Sequence, residues 1–93
     1  MSQSYPTLSA TELSSIASVV SNTKTNALVY KYYHDIIAAA HAGYFMRKFY
    51  LETDYYGVVL REELKAMERM ADLFPGIETH AVEGHIYVFS WSV

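Results

Sequence analysis

The stretch HIYVFSWSV, residues 85–93, constrains the fold of this chain more than any other. Its odd positions His85, Tyr87, Phe89 and Trp91 are aromatic, and its even positions begin with the branched aliphatics Ile86 and Val88. Alternation of this kind is the signature of a strand, but a half-buried strand keeps one polar face for water. Here both faces need cover. Preceded by IETHAV and the pair Glu83–Gly84, the stretch reads as the second strand of a hairpin. If those two residues are the whole loop, Val82 faces His85, His80 faces Tyr87 and Glu78 faces Phe89. A three-residue loop with a bulge at Gly84 sets Ala81, Thr79 and Ile77 beside the same three residues. Both registers are open at this level. Ile86 and Val88 suit packing on helices, which leaves Tyr87, Phe89 and Trp91 for a strand edge, a neighbouring subunit or the N-terminal segment.

The rest of the chain is a series of short elements. Residues 1–8 form a polar, proline-containing lead, flexible or laid on a partner. Ser9 and Glu12 match a capping box opening a short helix over 10–21, with Leu13, Ile16, Ala17 and Val20 on one side. The six polar residues SNTKTN, 21–26, read as a break in which Thr25 caps the next helix. That helix, 26–42, has a broad apolar arc from Leu28 to Ala40 and a polar side carrying Lys31, His34, Asp35 and His41; Gly43 closes it. A strand follows over 44–52, with Phe45, Arg47, Phe49 and Leu51 on one face. A third helix spans 58–74 and stops at Pro75–Gly76. The order α-α-β-α-β-β predicts a two-layer α+β domain, a small antiparallel sheet with the hairpin packed on helices.

Ninety-three residues make one domain, 1–93, with no room for a second independent core. Charged residues are only 18% of the chain, against roughly a quarter in an average soluble domain. Nine tyrosines accompany that thin charge coat, and tyrosine tolerates water before docking and burial after it. Together they point either to an oligomer or a docked partner, or to tyrosines lining the rim of a small core. The net charge of −3 disfavours an electrostatic nucleic-acid binder, and the lone basic–aromatic tetrapeptide RKFY, 47–50, does not outweigh it. The absence of cysteine removes disulfides, zinc knuckles and thiol nucleophiles and suits a reducing cytosol. The polar N-terminus has no apolar core of a secretory signal, and no apolar run approaches a membrane span, so neither is expected.

No catalytic, cofactor or metal constellation can be assembled. His34 and His41 are seven apart, about 10 Å along a helix, too far to share an ion. His80 and His85 flank the hairpin turn with no third ligand. Each glycine stands alone, so no phosphate loop exists. Glu63 is the anomaly, because it falls inside the apolar arc of the third helix. A carboxylate there is paired with Arg47 or Lys48, sits in the first turn beyond the core, or contacts a partner.

The helix through AAAHAG, the strand after it, the helix ending LFPGI and the close HIYVFSW resemble a pattern in small tailed-bacteriophage accessory and virion proteins. Ala39, Gly43, Leu73, Gly76, Ile86, Ser90 and Trp91 stand in the matching places, over about 26–92. The resemblance implies phage origin, a place in the host cytoplasm or the virion, and non-enzymatic binding. The expected function is protein–protein association as a virion or assembly component or as an inhibitor of a host factor, with self-association included. The candidate contact residues are Tyr87, Phe89, Trp91, Tyr44, Tyr50, Tyr55, Tyr56 and Glu63. A sponge for nucleotides or other small molecules, stacking them on Tyr30, Tyr33, His34, Tyr55 or Tyr56, is the rival expectation.

Overall fold

A computed structural model describes residues 7–92; the expected polar lead lies mostly outside them. The elements are α1 (Ala10–His41), β1 (Met46–Tyr50), α2 (Arg61–Leu73), β2 (Glu78–Glu83) and β3 (Ile86–Ser90). The architecture is α+β, with two helices packed on a three-stranded antiparallel sheet of order β1-β3-β2.

The expected break at 21–26 is absent, and the first two predicted helices are one helix of 32 residues. Two features carry the helix through that polar segment. The Thr23 and Thr25 hydroxyls donate back to the carbonyls of Val19 and Ser21, both at 2.9 Å, so neither competes for the helical N–H groups. Tertiary contacts also hold it: Thr25 is buried, and Asn26 accepts from Arg69 of α2. The predicted ends hold. The Ser9 hydroxyl accepts from the Glu12 N–H at 3.1 Å. At the other end Gly43, at φ +89°, and Tyr44 bond back to Ala40 and Ala39, a Schellman closure.

The third predicted helix begins later than expected, at Arg61. Asp54 delays it, because its carboxylate accepts from the N–H groups of Tyr56 and Val58 and its own N–H donates to the Val58 carbonyl. The resulting tight loop, with Gly57 at φ +79°, keeps Val58–Leu60 extended. Contacts then advance together along both helices, from Ser21 beside Glu62 through Asn26 on Arg69 to Tyr33 on Phe74. The helices therefore run parallel.

The hairpin takes neither expected register. Gly84–His85 form the turn, Glu83 faces Ile86, Ala81 faces Tyr87 and Thr79 faces Phe89, with Val82 as the extra residue of a bulge. The assignment of its faces is reversed as well. Phe89 is fully buried, with Tyr87 and Trp91 packed against the same core of Val29, Tyr32, Ile36, Phe49, Leu51, Ala66, Met67 and Met70. Ile86 and Val88 lie on the outer face of the sheet, away from both helices. The register sets the aromatic face beside Phe49, Thr79 and Ala81, and Ile86 and Val88 beside Tyr50, Lys48, His80 and Glu83; inside, Phe49 of β1 completes an edge-on pair with Phe89 at 5.6 Å. Trp91 also ties down the entry to β1, donating from Nε1 to the Tyr44 carbonyl and from its backbone to Phe45, both at 3.0 Å.

Candidate functional site

The packed body uses only part of α1. Thr25, Val29, Tyr32 and Ile36, spaced four, three and four, form its buried stripe. From Ala10 to Val20 every residue is exposed, because α2 begins only at the level of Ser21. The helix therefore projects as an arm. The radius of gyration of 17.7 Å, against about 12 Å for a globule of this length, and the long dimension of 67 Å record the overhang.

The arm is apolar on one side. Leu13, Ile16, Val19 and Val20 are 53, 55, 65 and 63% exposed. At about 100° per residue, Leu13, Ile16 and Val20 point roughly 130–170° from the buried stripe. Toward the body's side the arm shows Ser14, Ser18 and Ser21 instead. Such an arm is a poor helix by itself. Ser, Thr and β-branched residues dominate it, all weak helix formers, and helices under about 12–15 residues are marginal without packing. Glu12 is the only charged residue between Ala10 and Thr23. An uncharged apolar stripe on a weak helix is the property of a contact surface.

The predicted contact residues divide into two groups. Phe89 and Glu63 are buried in the body, while Tyr87 and Trp91 are partly buried against the same core. Glu63 is 2% exposed in the first turn of α2, and its partner is neither Arg47 nor Lys48 but Tyr32, whose hydroxyl donates to it at 2.6 Å. Burial first, and that hydrogen bond second, raise the Tyr32 phenol well above its ordinary range. The pair bolts α1 to α2. Half-buried Glu62 beside it has its carboxyl held below the usual range, by its own backbone N–H first and by Ser21 second.

Tyr44, Tyr50, Tyr55 and Tyr56 are open to solvent. Tyr50 stands on the outer face of the sheet, while Tyr55 and Tyr56 meet edge-on at 5.4 Å at the tip of the Asp54 loop. They do not converge on one patch with the arm. The stacking platforms are likewise scattered: Tyr33 already lies on Phe74 at 5.1 Å, and Tyr30 and His34 meet each other at 4.4 Å. An open apolar groove of about 570 Å³ lies at the far end of the body, lined by Ile36, Ile37, Phe74, Pro75 and Trp91. His80 pairs loosely with Glu78 at 3.8 Å on the solvent face. Among the described residues no group of three or more potential metal ligands gathers, and no helix is long and apolar enough to cross a membrane.

The sequence places Leu13, Ile16, Ala17 and Val20 on one side of a helix, and the structure leaves that side uncovered. The readable signal was their phase. Carried through 21–26 without a break, that side emerges opposite Val29, Tyr32 and Ile36. Comparison with protein-family models, with curated proteins and with solved structures finds no match for this chain.

Proposed function

We propose that this chain is a small non-enzymatic protein that acts by protein–protein association, self-association included, and that the exposed side of α1 is its contact surface. The observation that carries the reading is the arm itself: a run of weak helix formers held helical with Leu13, Ile16, Val19 and Val20 in solvent. A partner on the stripe supplies the missing packing. The phage-type role, a virion or assembly component or an inhibitor of a host factor, rests on the resemblance of residues 26–92 and is proposed with it.

The test is the size of the protein in its native setting. Native electrophoresis of the tagged chain should show a species larger than 10.6 kDa plus the tag, which Ile16→Asp with Val20→Asp collapses to monomer. A monomer before any substitution sinks the reading.

A further inference from the structure

The exposed side of the arm continues down the back of α1, apolar on the arm and carrying Thr23, His34 and His41 further along. Leu13, Ile16, Val20, Thr23, Ala27 and Tyr30 are spaced three, four, three, four and three, and His34, Ile37 and His41 extend the same alternation. That is the first-and-fourth pattern of a heptad, sustained for four repeats. At about 100° per residue its mean direction lies about 170° from the buried stripe. Every position on it is exposed except Ile37, which is half-buried and also lines the groove with Phe74 and Trp91. One helix thus carries two opposed seams, of which the body covers one.

We infer that the outer seam pairs in parallel with the same seam of a second copy, making the protein a homodimer through α1. This rests on the association reading and names its partner. Three observations favour a second copy. The seam positions carry no carboxylate or lysine, so identical seams can face each other without like-charge repulsion between Asp, Glu or Lys. Thr23, its most polar residue on the arm, has its hydroxyl already bonded to the Val19 carbonyl and can be buried. The seam also offers exposed area. An interface of standard size takes about 800 Å² from each partner, toward which Leu13, Ile16, Val20 and Tyr30, 53, 55, 63 and 70% exposed, contribute together with exposed Val19 on the flank.

The flanks choose the direction. Lys24 and Lys31 both lie on the same flank of the seam, with Val19 and Asn26 on the other. An antiparallel pair sets lysine flank against lysine flank. A parallel pair sets Lys24 beside Val19 and Lys31 beside Asn26 of the second copy, where the lysine stems cover apolar surface and the like charges separate.

The full chain should sediment at twice its 10.6 kDa mass at micromolar concentration. Val20→Asp should weaken that association by roughly 30-fold or more, while Trp91 emission continues to report a folded body. Because the chain has no cysteine, Val20→Cys supplies a single thiol. It should form a disulfide-linked dimer on mild oxidation, and Ser18→Cys, on the opposite side of the arm, should not. A dimer that Val20→Asp leaves intact overturns the seam; a dimer that Val20→Cys fails to link overturns the parallel register. A purified monomer that still enters a larger assembly in its native setting overturns self-pairing and leaves the association reading standing. A monomer in both settings overturns both.

Discussion

The two halves of α1 share one backbone and differ in what their apolar side meets. From Thr25 to His41 the helix turns Val29, Tyr32 and Ile36 into a core with Phe49, Met70 and Phe89. From Ala10 to Lys24 it turns serines toward the body's side and aliphatics toward solvent. Each half taken alone is a plausible amphipathic helix. Only their relative phase shows that their apolar sides face opposite ways, so continuity of a helix can matter as much as its composition.

If that division is right, damage to the body should be large and damage to the arm small when the chain is dilute. Phe89→Ala should cost about 3–5 kcal/mol in urea unfolding, since a fully buried ring leaves a cavity. Trp91→Ser should likewise lower stability rather than merely dissolve an oligomer. An unchanged midpoint for either would return the aromatic face to the surface.

Tyr32→Phe should cost about 1–3 kcal/mol by leaving the buried Glu63 carboxyl without its partner. The same pair gives a pH dependence with a definite sign. Because the folded chain holds the Tyr32 proton more tightly than the unfolded chain, whose phenol keeps its ordinary value of 10.0, this stabilisation is whole below that pH. It is lost as pH rises further, and Tyr32→Phe should flatten that part of the stability profile. A profile that Tyr32→Phe leaves unchanged would detach the pair from the stability of the body.

The smallest effect belongs to the arm. Val20→Asp, followed by Trp91 emission where the chain is monomeric, should move body stability by less than about 0.5 kcal/mol. A larger change would mean that the arm is part of the core after all.

Much of the fold was legible because it depends on local chemistry. Ser9 and Gly43 end α1 as caps do, and Pro75–Gly76 follow the end of α2. The hairpin and the α+β class follow from alternation and order. What escaped depended on neighbours distant in sequence. Thr25 looks like a cap until Arg69 and Glu62 arrive beside Asn26 and Ser21. Glu63 looks like half of a salt bridge until Tyr32, thirty-one residues earlier, is found donating to it. The faces of the hairpin were inverted because both are apolar on β3, and the face that meets the helices is the one its neighbours continue with Phe49 and Ala81 rather than with Lys48 and His80. Of the candidate contact surface, the stripe Leu13, Ile16 and Val20 was legible, and its direction was not.

If the outer seam pairs as proposed, almost no side chain answers to both the core and a second copy. Substitutions on one side should therefore combine nearly additively with those on the other. A lineage carrying this chain can retune whom it pairs with while its core drifts separately, and an engineer can exchange Leu13, Ile16 and Val20 for another pairing code without repacking Val29, Tyr32 and Ile36.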